Sequence, residues 1–133
     1  MTTLTVEINV TLDPASGAPQ LDSVTSCTPT GDGIATLNTS ASPPKVTVDD
    51  YECDTVVVKL NESGGQSLDE SHVSTTISPR GAPITHSWSG GAPLTLTVGG
   101  LSQVGRELDE DVDLSIASSS GDPIFVIKRT IKP

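Results

Sequence analysis

Apolar and polar side chains alternate through Leu4, Val6, Ile8, Val10 and Leu12, with Thr5, Glu7, Asn9 and Thr11 between them. A repeat of two sends successive side chains to opposite faces of a pleated chain, so residues 4–12 predict a strand with one face in a core. The rhythm returns at Val73, Thr75 and Ile77, at Ile84, His86 and Trp88, at Leu94, Leu96 and Val98, and at Val112, Leu114 and Ile116. Weaker or shorter strands are expected at 21–27, 34–38 and 46–48, with a closing strand at 123–131. The run Asp54-Thr55-Val56-Val57-Val58-Lys59-Leu60 breaks the alternation with three successive valines. Valine is crowded at χ1 in a helix and fits a pleated chain, so this run predicts a central strand covered on both sides.

The punctuation agrees with the pattern. Asp13-Pro14-Ala15-Ser16-Gly17, Thr28-Pro29-Thr30-Gly31, Pro79-Arg80-Gly81, Gly90-Gly91, Gly99-Gly100 and Ser120-Gly121-Asp122 all fall between the strand candidates. Residues 61–72 form the longest stretch without a strand pattern and read as a loop with room for one helical turn. Gly-Ala-Pro precedes a strand three times, at 17–19, 81–83 and 91–93, as convergent turn chemistry and not as a solenoid repeat. No segment holds a 3.6-residue period over three turns. About eight to ten short antiparallel strands with turns roughly every ten residues are the signature of an all-β sandwich, immunoglobulin-like with Greek-key connections. At 133 residues the chain fits one domain, 1–133.

Composition narrows the core. Tyr51, Trp88 and Phe125 are the only aromatic residues, so aliphatic side chains and threonine must fill the interior. A core of about fifteen such side chains is expected, each contributing roughly 1.5–3 kcal/mol when buried. So thin a core favours burying further surface in a homo-oligomer. The net charge of −10, from 17 acidic and 7 basic side chains, repels phosphate backbones and argues against nucleic-acid binding. No run approaches the ~20 apolar residues of a membrane helix, and the N-terminal residues carry no secretory pattern, so no membrane contact and a cytoplasmic location are expected. In that compartment Cys27 and Cys53 are expected as thiols, and neither has metal or redox spacing.

Chemistry has few places to sit. The acidic stretch holding Asp109, Asp111 and Asp113, with a second at 49–54, has the oxygens that calcium wants but not the spacing of an EF-hand loop. A solvated acidic rim is the plainer reading, with calcium as the alternative. His72 and His86 lie in different segments, each flanked by hydroxyl residues, and read as ordinary hydrogen-bonded histidines before zinc ligands. Ser87-Trp88-Ser89-Gly90-Gly91 lacks the leading glycine of a nucleophile elbow, and no phosphate loop precedes a helix. Acidic neighbours make Cys53 a poor nucleophile. Trp88 reads first as a core anchor, and second as an exposed platform for a sugar or a partner.

With its N-terminal alternating strand, its size, and Asp122-Pro123 just before the last strand, the whole chain resembles the small bacterial DP-EP family of β-sandwich proteins. The resemblance implies the sandwich and implies no activity, cofactor or catalytic residue. The expectation is therefore a non-enzymatic interaction or structural module without a cofactor, with self-association through an exposed strand such as 123–131 or 4–12. The alternative is a calcium- or glycan-binding module that uses strand-end loops.

Overall fold

The computed structural model describes residues 2–28, 35–40, 43–48, 53–78, 84–90, 93–101 and 112–129. Among them ten strands run in the order β1 (Thr2–Leu12), β2 (Pro19–Thr28), β3 (Ala35–Asn38), β4 (Lys45–Val48), β5 (Cys53–Glu62), β6 (Val73–Ser78), β7 (Thr85–Ser89), β8 (Leu94–Gly99), β9 (Val112–Ser118) and β10 (Pro123–Arg129). The described residues are all-β apart from a 3-10 turn at Glu70–His72, inside the expected loop. Five strands form one sheet in the order β2-β1-β5-β8-β7, and five form a second in the order β3-β4-β10-β9-β6. Neither sheet closes into a barrel.

Two expectations about the strands need correction. The sheets are mixed, not antiparallel throughout, because β1 runs parallel to β5 and β4 parallel to β10. Parallel neighbours require the chain to leave the sheet and return, which here joins residues far apart in sequence. Nor are all the strands short: β1, β2 and β5 span 11, 10 and 10 residues.

The β1–β5 register explains the burial pattern. Leu4 lies opposite Val56, Val6 opposite Val58, and Ile8 opposite Leu60, and all six are buried. Between them Thr5 faces Val57 and Glu7 faces Lys59, all only half-buried. The three valines are therefore split between faces, and β5 is covered on one side instead of two. It is nevertheless central, third of five strands. On the second sheet a register shift between Pro123 and Phe125 lets the neighbours Ile124 and Phe125 both turn inward, as an irregularity of this kind allows.

Among the described residues the buried apolar side chains of both sheets form one cluster of 23, more than the expected fifteen; β1 and β5 supply long inner faces, whereas Leu21, Val24 and Cys27 of β2 are only partly buried against it. Val56, Val98 and Leu101 meet Val112, Leu114 and Ile127 around a void of about 10 Å³. That is at the lower limit of the ~10–15 Å³ needed to hold one water, so these six side chains close over the gap between the sheets. Among the described residues Phe125 is the only aromatic ring buried in the cluster.

Hairpin turns are fixed by local polar groups. Asp13 Oδ1 accepts the Ala15 N–H at 3.0 Å and Oδ2 accepts the Ser16 hydroxyl at 3.0 Å, while the Asp13 C=O accepts Gly17 N–H at 2.7 Å. Ser118 is buried, and its hydroxyl accepts the Asp122 N–H at 3.1 Å while its own N–H donates to Asp122 C=O at 2.8 Å. Gly121 closes this turn at φ +102°, a conformation that a side chain would resist. Among the described residues no helix is long and apolar enough to cross a membrane.

Candidate functional site

The parallel pairing of β1 and β5 brings their C-terminal ends side by side, with Val10 opposite Glu62. One step further, Ser63 N–H donates to Val10 C=O at 2.9 Å. The two chains then part, and between them opens a cleft of about 510 Å³ lined by Thr11, Leu12, Asp13, Pro14, Glu62 and Gln66, among others. Its volume is within the ~300–1,000 Å³ usual for small-molecule sites.

Glu62 dominates the cleft. Its Oε1 accepts N–H groups from Leu12 at 3.4 Å and Gly64 at 3.0 Å, and its Oε2 accepts from Gln66 at 2.6 Å. Desolvation raises its pKa, but the backbone donors of Gln66, Gly64, Leu12 and Gly65 together outweigh that and hold the carboxyl below its usual range. Beside it Asp22 of β2 receives the hydroxyls of Thr11 and of Ser63, the latter at 3.0 Å, and Thr11 and Ser63 are themselves 2.9 Å apart. The carboxylates here tie the ends of β1, β2 and β5 to one another. A carboxylate held ionised by its own backbone is a weak proton acceptor and a weaker proton donor near neutrality.

A second polar cluster lies at the start of β6. Asp69 caps the 3-10 turn, with Oδ1 accepting the Ser71 N–H at 2.9 Å and the Ser71 hydroxyl, while His72 Nδ1 accepts the Asp69 N–H at 3.1 Å. These are the reciprocal contacts of a capping box, with histidine in the place usually held by Glu or Gln. The Ser71 hydroxyl and N–H hold the Asp69 carboxyl below its usual range against desolvation.

Of the residues singled out from the sequence, the described ones are spread over β2, β5, β7, β9 and the 3-10 turn. Asp113 is exposed on β9, while Asp109, Asp111 and the acidic residues at 49–52 lie outside the described residues. Among the described residues no three His, Cys, Asp or Glu side chains are grouped so as to hold a metal. His72 sits by the capped turn, and His86 is exposed on β7, although the alternation placed it on the inner face. Trp88 is half-buried against the core, and its Nε1–H donates to Thr75 Oγ1 at 2.9 Å, joining β7 of one sheet to β6 of the other. The cysteines are not bridged: Cys53 is buried and its thiol points to Thr55 C=O at 3.6 Å, while burial pushes the Cys27 thiol up.

Sequence reasoning passed over Glu62, because nothing local distinguishes it and one of its partners, Leu12, is 50 residues away. Asp69-Glu70-Ser71-His72 carried a readable signal, an N-cap residue followed three places later by an acceptor side chain. No protein-family model, curated protein or solved structure matches this chain.

Proposed function

We propose that the protein is a non-enzymatic interaction or structural module that works through strand edges and not through a pocket. Its two sheets stack, in this reading, as an immunoglobulin-like sandwich with Greek-key connections. The resemblance to the DP-EP family, carried by Asp122-Pro123 and the N-terminal strand, fits this and adds no chemistry. The observation that carries the reading is that both sheets are open, so four edge strands, β2, β7, β3 and β6, have one unpaired side among the described residues. The strands first expected to serve as edges, 4–12 and 123–131, are interior: β1 lies between β2 and β5, and β10 between β4 and β9. The polar groups of the cleft support the same reading, since Glu62 and Asp22 spend their oxygens on the fold itself.

The test is thermal melting and sedimentation with and without calcium, followed by a glycan screen. Melting and mass unaffected by calcium, with no glycan retained, are expected. A calcium-induced rise in melting temperature that disappears on replacing Asp111 and Asp113 by Asn would transfer the function to the acidic loop.

A further inference from the structure

The four edges are not equivalent. β3 is four residues long, and β2 meets β1 with two register irregularities and carries Asp22 within it. Short length, irregular register and charge are the ordinary means by which a sheet edge is kept from pairing with another chain. β7 has no fully buried residue, and pairing it with a copy of itself about Ser87 would set Trp88 against His86. β6 has none of these guards. Val73-Ser74-Thr75-Thr76-Ile77-Ser78 contains no charge and no proline, and its register with β9 runs unbroken from Val73 opposite Ser118 to Ser78 opposite Asp113.

The free side of β6 can be assigned from the other side. His72 C=O accepts the Ser119 N–H at 2.9 Å, so at that position the backbone faces β9. Backbone groups alternate from side to side along a strand, which turns those of Thr75 and Ile77 outward. Val73 N–H, which turns the same way, is taken by Glu70 C=O.

From this we infer that β6 pairs antiparallel with β6 of a second copy of the chain, about a two-fold axis at Thr75. The inference rests on the proposed function and specifies its surface. The strand is complementary to itself, which suits a second copy as its partner. In that register Val73 faces Ile77 of the other copy, Thr75 faces Thr75, and Ser74 faces Thr76. Val73, Thr75 and Ile77 are the more buried residues of the strand, and Ser74 and Thr76 are exposed, so inner meets inner and outer meets outer. A one-residue slip would put Val73 against Ser78 and mix the faces. Only an isologous contact demands this self-complementarity, and it closes as a dimer with two joined five-stranded sheets instead of growing into a fibre. Because each copy carries a charge of −10, the dimer is opposed by long-range repulsion and strengthens as salt screens it.

Sedimentation equilibrium of the full chain across concentration and salt is the first experiment. Dimer formation that increases with both, accompanied by a blue shift in emission from the single tryptophan beside Thr75, is expected. Thr76→Lys, on the exposed face, should leave the circular-dichroism spectrum and melting unchanged while weakening dimerisation by about tenfold or more, as an edge lysine does. Register is read by crosslinking in a C27A/C53A background. Non-hydrogen-bonded pairs in antiparallel sheets lie ~4.5 Å apart at Cα, close enough for a disulfide. A mixture of Ser74→Cys and Thr76→Cys chains should therefore link several-fold faster than either alone. Equal linking in all three samples, a dimer indifferent to Thr76→Lys, or a chain monomeric at every concentration and salt would each overturn the inference. The proposed function fails separately, on calcium or glycan binding.

Discussion

The edges offered by β2 and β6 are both unpaired on one side among the described residues, yet they are built in opposite ways. β2 is long and kinked against its neighbour, and it is tied down by side chains: Asp22 receives Ser63, and Asn9 Nδ2 donates to the Ser23 hydroxyl at 3.3 Å. β6 is short and regular, preceded by a capped turn, and held from the opposite sheet by Trp88. The first edge is secured by irregularity along its length. The second is secured at its start and middle, which leaves its outer backbone groups straight and accessible. Regularity, and not exposed apolar area, is what separates an edge able to pair from one that is not.

Replacing Trp88 by Ala is expected to have the largest effect on this contrast, about 2–4 kcal/mol of stability, because it removes a half-buried ring and the bond between the β7 and β6 edges. Trp88→Phe should cost less, about 1–2 kcal/mol, since a six-membered ring stays while the Thr75 hydrogen bond and part of the indole packing are lost. On the other side Leu21→Ala, which trims a half-buried side chain of β2, should cost about 1–2 kcal/mol. Denaturant unfolding of the three variants checks the order. Equal losses from Trp88→Ala and Leu21→Ala would mean that the β6 side is not pinned as described.

Acid should loosen the start of the β6 edge and the β1–β5 end beside β2. Glu62 and Asp69 hold their protons less tightly when folded than when unfolded. Their stabilisation is therefore complete above the unfolded carboxylate range of about pH 4–5 and is lost as pH falls through the lower folded values. Melting temperature is expected to decline below about pH 5, and Glu62→Gln should flatten that decline as it loosens the β1–β5 end. The smallest effect is expected from Asp22→Ala, within about 1 kcal/mol, because its partners are exposed hydroxyls that water can satisfy. A larger loss would show that the β2 edge depends on this one carboxylate.

The β1 pattern was legible because its inner face is unbroken: Leu4, Val6, Ile8 and Val10 are all buried, as the alternation required. The β5 run misled because Val57 is β-branched like its neighbours, yet it shares the outer face with Thr5 and Thr97. Residue type alone cannot separate an outward valine from an inward one when both suit a strand. His86 failed for the reverse reason. It keeps the period but lies on an edge strand where the core gives little cover. The choice of parallel partners was beyond local reading altogether, and with it went the position of Glu62. Residues 4–12 and 123–131, expected as exposed edges, are interior for the same reason.

The parallel pair of β4 and β10 has a consequence for the order in which the protein is made. Lys45 lies opposite Val126, so β4 leaves the ribosome ~80 residues before its partner exists, a wait of several seconds at ~5–20 residues per second. Until then the first half of the chain has β3 to pair with β4 and nothing to fill the far side. Refolding that is slow for a protein of this size follows, since the loop-closure cost of so distant a contact comes before any reward from it.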